Sequence, residues 1–139
     1  MIPAGPLFHK PKSFISARNL LYASICIGAF TLLLHKFFDQ NINTATIIHL
    51  ILIGVEYIAL FLLVKQMGLC HKWARAATFV AVILITATYI IMFEKQTVVS
   101  MAEVGLFVLQ AIFQLVALIF LYKAECNTWF NSRTGDSLP

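Results

Sequence analysis

Polar residues fall into clusters along this chain, and long apolar runs separate them. The first run is Leu20 to Leu34, extended by Phe37 and Phe38, and the second is Ile47 to Val64, broken only by Gly54 and Glu56. The third is Ala74 to Phe93 and the fourth Val99 to Tyr122. A helix needs about 20 residues to cross the hydrocarbon core of a bilayer, so each run predicts one transmembrane helix. The spans expected are about 14–38, 46–66, 73–94 and 98–123, followed by a short tail, 124–139. Pro11 followed by Ser13 predicts the start of the first helix, with Ser13 as its cap and with Phe14 and Ile15 facing lipid. After the first run come His35, Lys36, Phe37 and Phe38, without the small-x-small pattern of a cleavage site. The run therefore reads as an uncleaved span.

Composition agrees. Hydrophobic residues make up 60% of the 139 positions and charged residues 12%, with a mean hydropathy of +0.87. Soluble domains carry about 25% charged residues to cover their surface; here the excess apolar surface has to face lipid. The expected fold class is an all-α membrane protein, an antiparallel bundle of four transmembrane helices in a single domain, since short connections make sequential neighbours antiparallel.

The net charge is +4, and its placement orients the bundle. Lys10, Lys12, Arg18, Lys65, Lys72, Arg75, Lys123 and Arg133 fall on one side of the bilayer, against Lys36 and Lys95 on the other. Positive loops stay in the cytoplasm, so both termini are expected there. With the helices in lipid no basic face remains for nucleic acid, and the partners expected are the bilayer and other subunits, or the chain itself. Cys26, Cys70 and Cys126 form neither a paired framework nor a C-x-x-C motif.

Trp73 and Arg75 stand at the start of span three, and Trp129 with Phe130 lies in the tail. These residues read as interface anchors, with the tail a short helix resting on the membrane surface. The other reading is a docking surface or an anionic-lipid site on the cytoplasmic face. Three segments, Lys10-Pro11-Lys12-Ser13, Gly68 followed by Lys72-Trp73-Ala74-Arg75, and Trp129-Phe130, resemble a family of small four-span bacterial inner-membrane proteins. Cys126 stands where that pattern has serine. The resemblance implies the same four-span fold in an inner (plasma) membrane and carries no activity.

Candidate chemistry lies in the polar residues at membrane depth. Glu56 is about nine residues from the outer end of span two, roughly 13 Å deep, where a charged carboxylate costs a few kcal/mol. It is therefore expected to face the interior and to bond Thr86, Tyr89 or Gln110. Spacings of seven and four place Glu103, Gln110 and Gln114 on one face of span four, and His49 shares a face with Glu56. One polar seam is expected: His49 and Glu103 outermost, then Glu56 with Thr86 or Tyr89, then Gln110 and Gln114. It serves either as interhelical glue or as a proton or cation relay centred on Glu56.

Small residues for close packing include Ala23, Gly28 and Ala29 on span one, Ala77 and Ala81 on span three, and Ala111 and Ala117 on span four. His9, His35, His49 and His71 do not make a haem pair, and His35, His49 and Glu103 are a weak candidate for an outer metal site. No cofactor is expected. Phosphate-loop, nucleophile-elbow and zinc-protease patterns do not occur. The sequence thus predicts a non-enzymatic membrane component, a homo-oligomer or an accessory subunit. The alternative is a small proton-coupled transporter or channel subunit using Glu56.

Overall fold

A computed structural model describes residues 9–38, 44–95 and 100–133. Four long helices, α1 (Lys12–Phe38), α2 (Thr44–Gly68), α3 (Lys72–Lys95) and α4 (Met101–Leu121), are followed by a short one, α5 (Ala124–Arg133). All four long helices are apolar enough to cross a membrane. The protein is an all-α, four-helix membrane bundle. The connections 39–43 and 96–99 and the side chains of His35, Lys36, Phe37 and Phe38 lie outside the described residues.

Each helix buries a seam with alternating three- and four-residue steps. On α1 it runs Phe14, Ala17, Leu21, Ser24, Gly28 and Thr31, and on α2 Ile53, Tyr57, Leu60, Val64 and Met67. α3 contributes Ala74, Thr78, Val82, Ile85, Tyr89 and Met92. This period keeps one stripe of a gently supercoiled helix against its neighbours. Outside the seams the surface is large and aliphatic, as at Ile51, Val55 and Ile58 of α2 and Leu84 of α3. That surface belongs to lipid.

Sequential helices are neighbours, as short loops require, and α1 and α4 close the ring. α1 packs most extensively on α4, and α2 on α3, while the α1–α2 and α3–α4 contacts are thinner. Residues at the two ends of the chain therefore meet across the bundle, and two tight pairs lie side by side.

The local signals at the helix ends are specific. Ser100 caps α4: its side chain accepts from Glu103 N–H at 3.2 Å, and Glu103 Oε2 accepts from Ser100 N–H at 3.3 Å. This reciprocal box satisfies two first-turn donors that would otherwise face the bilayer unbonded. α2 ends with His71 N–H on Gln66 O and Cys70 N–H on Met67 O, and Cys70 takes a positive φ of 67°. Helices usually place glycine at this left-handed stop; here Gly68 comes two residues too early.

Candidate functional site

The polar residues of the bundle gather in two places, a mid-membrane hub and a cap at the end where α1 and α3 begin.

Tyr57 is the centre of the hub. Its hydroxyl accepts from Gln110 Nε2 of α4 and donates to Tyr89 Oη of α3 at 3.3 Å. Its ring lies over Gly28 of α1, where a Cβ would come within 2.6 Å of ring atom Cε1. All four long helices thus converge on one side chain, which only glycine on α1 leaves room for. Toward the end where α3 finishes and α4 begins, the rings of Tyr89, Phe93 and Phe107 continue the core, with centroids 5.3 to 6.1 Å apart.

Glu56 sits beside this hub, at the edge of the α2 seam. Thr88 Oγ1 of α3 reaches Glu56 Oε1 at 2.9 Å and its own helix's Leu84 O at 2.9 Å. One hydroxyl proton serves two acceptors, so the carboxyl receives at best part of a bond. Glu56 Oε2 is buried without a hydrogen-bond partner. Gln110 Oε1 and Gln114 Nε2 are likewise buried and unbonded. Unsatisfied polar atoms at this depth are uncommon, because each forgoes about 1–3 kcal/mol of solvation.

Several expectations are corrected here. Glu56 bonds Thr88, not Thr86, Tyr89 or Gln110; Thr86 turns its hydroxyl back to Val82 O at 2.9 Å, and Tyr89 bonds Tyr57. The α2 seam is centred on Ile53, Tyr57 and Leu60, one position round from the face that His49 and Glu56 share. Both residues are therefore only half-buried. Glu103, Gln110 and Gln114 are all buried on α4, and the Glu103 carboxylate closes the helix cap. Tyr57 and Thr88 were missed. The signal for Tyr57 was its place in the three-four repeat of α2, together with a glycine at matching depth on α1.

The cap is built from the tail. α5 folds onto the start of α1 and the end of α4. Phe14 is fully buried rather than lipid-facing, its ring 4.9 Å from Trp129 and 6.1 Å from Phe130. Ser13 lies inside α1 rather than capping it. Its hydroxyl donates to Glu125 Oε2 at 3.1 Å and lies 3.3 Å from Cys126 Sγ. Burial pushes the Cys126 thiol above its usual range, partly opposed by the Ser13 contact. Arg75 of α3 donates to Asn127 Oδ1, and its guanidinium stands 4.7 Å from the Tyr122 ring centroid and 5.1 Å from that of Phe130. Arg75 and Trp129 thus anchor the tail by packing. Trp73 is 57% exposed.

Among the described residues no three His, Cys, Asp or Glu side chains form a group able to hold a metal ion. The His35 side chain of the outer metal candidate lies outside them. No family model, curated protein or solved structure matches the chain.

Proposed function

We propose that the protein is a non-enzymatic component of a membrane assembly, either a homo-oligomer or an accessory subunit of a larger complex, in an inner (plasma) membrane with both termini cytoplasmic. One observation carries this reading. Three midplane polar contacts cross between helices, from Gln110 to Tyr57, from Tyr57 to Tyr89 and from Thr88 to Glu56. Bonds of this kind in lipid contribute roughly 0.6 to 2 kcal/mol each, which suits polar groups that hold a bundle together. The working surface is then the apolar exterior. The basic residues at the end that carries α5 support the orientation.

The test is extraction of the protein from its native membrane into nanodiscs without denaturation, followed by mass determination and identification of copurifying chains. A particle containing one copy and nothing else refutes the reading. A second reading, proton-coupled transport through Glu56, is favoured by the unbonded Oε2 beside the tyrosine hub. Purified protein in liposomes loaded with a pH-sensitive dye distinguishes the two. Proton flux above that of empty liposomes, abolished by Glu56→Gln and partly kept by Glu56→Asp, selects transport. Absence of flux, with Glu56→Gln as stable as the native chain, selects assembly.

A further inference from the structure

At the α5 end of the bundle, the segment His9–Lys12 and one face of α5 enclose an open cleft of about 520 Å³. That volume is in the range of small-ligand sites, about 300–1,000 Å³. The wall from the segment that leads into α1 brings His9, Lys10 and Lys12, and the wall from α5 brings Glu125, Thr128 and Trp129. Lys12 is also the first residue of the membrane-crossing stretch of α1. The cleft therefore sits at the level of lipid headgroups.

The donors and acceptors around the cleft are unevenly spent. Thr128 Oγ1 donates to Ala124 O at 3.0 Å, and Glu125 Oε2 accepts from Ser13. Lys10 and Lys12 are the two ammonium groups of the lining. The 6.0 Å approach of Lys10 Nζ to the Phe14 ring holds that group against the aromatic cap. Trp129 is 4% exposed, and its indole N–H has no acceptor. Buried indoles ordinarily find one. The first turn of α1 starts in the same wall, and its leading backbone N–H groups have no partner within the helix. An anion is thus met by two ammonium groups, an imidazole and a helix start, and the unsatisfied indole N–H lies buried in the same wall.

The single carboxylate limits the charge of that anion. Two lysines against Glu125 leave one net positive charge in the lining, which matches a monoanionic phosphodiester better than a polyanionic phosphate. Glu125 Oε1 is then available to a headgroup hydroxyl.

We propose that this cleft binds the phosphodiester headgroup of an anionic phospholipid, held by Lys10, Lys12, His9 and the Trp129 indole. A bound headgroup ties the start of α1 to α5 and closes the tail over the Phe14–Trp129–Phe130 cluster.

The test uses the full chain carrying Trp73→Phe, so that Trp129 is the only tryptophan. Phosphatidylglycerol is titrated into the detergent-solubilised protein and Trp129 emission is followed. A saturable change is expected with phosphatidylglycerol and none with phosphatidylcholine. Each lysine near a lipid surface contributes about fivefold in affinity, so Lys10→Gln with Lys12→Gln weakens binding about thirtyfold. Both lysines are exposed, and the helical circular dichroism of the double variant should be unchanged. Soluble glycerophosphoglycerol is the second arm. The same emission change with the same lysine dependence upholds phosphodiester recognition and makes the acyl chains dispensable. Retained phosphatidylglycerol is counted by native mass spectrometry in Trp129→Phe, which keeps an aromatic ring in the cluster but removes the fused pyrrole and its N–H, and a severalfold loss is expected. Equal responses to the two lipids, or an unchanged response in the lysine double variant, overturns the proposal. Full lipid retention in Trp129→Phe overturns it as well.

Discussion

Replacing Gly28 by alanine adds one methyl group where α1 meets the Tyr57 ring, and the consequences can be worked through atom by atom. The new Cβ would overlap Tyr57 Cζ and Oη outright and stand 2.6 Å from Cε1, whereas carbon atoms pack at about 3.5–4.0 Å. The ring has to withdraw by roughly 1 Å or more, or α1 has to move away from α2. Withdrawal is resisted because Gln110 and Tyr89 hold the Tyr57 hydroxyl. Overpacking of this kind costs about 1–3 kcal/mol, and losing the two bonds adds roughly 1–4 kcal/mol. Alanine is intrinsically favoured over glycine in a helix by about 1 kcal/mol, so the expected net destabilisation is about 1–6 kcal/mol. Gly54 and Gly105 are internal controls, since a Cβ at either meets nothing within 4 Å. Gly54→Ala and Gly105→Ala should be neutral or slightly stabilising. The assay is unfolding in mixed micelles with increasing denaturing detergent, followed by circular dichroism and aromatic fluorescence. Shrinking the ring with Tyr57→Leu should make Gly28→Ala tolerable, and a double-mutant cycle measures that coupling. If Gly28→Ala is as stable as Gly54→Ala, the convergence of four helices on Tyr57 is wrong.

Three further outcomes are expected. Arg75→Ala removes the Asn127 bond and the contacts with Tyr122 and Phe130, worth about 1–3 kcal/mol together; amide exchange across α5 should accelerate while α2 and α4 stay protected. Cys70→Gly relieves the left-handed backbone at the end of α2 and should raise stability by about 1 kcal/mol, read by the same detergent titration. The raised thiol of Cys126 means that the folded protein holds this proton to higher pH than the unfolded chain does. Its contribution is therefore complete below the ordinary thiol range, about pH 8.5, and declines as pH rises through the folded value. Alkylation of Cys126 in a Cys26→Ser, Cys70→Ser background should lag behind a model thiol at pH 8.5, and labelling as fast as the model thiol would contradict the burial.

The sequence by itself determined the number of helices and their approximate ends. The bilayer fixes the length of any helix that crosses it, and the apolar runs have that length. The α4 cap is also a local pattern, Ser100 followed three residues later by Glu103, but Glu103 reads in the sequence as a member of the polar seam, and its capping role emerges only in the structure. What tertiary structure decided was which helices pair and how each is rotated about its axis. In a soluble bundle rotation can be read from the alternation of apolar and polar faces. Here lipid and interior are both apolar, so Val55 and Ile53 look alike although one faces the bilayer and the other the core. Polar residues were the only local guide. They misled by one position, because Glu56 sits at the edge of the seam that Tyr57 occupies. The pairing of α1 with α4, the turn of Thr88 rather than Thr86 toward Glu56, and the folding of Trp129 onto Phe14 rest on shape. Gly28 admits a ring, and Arg75 finds a slot between Tyr122 and Phe130. Such complementarity exists only between segments far apart in the chain, and no single stretch of sequence contains it.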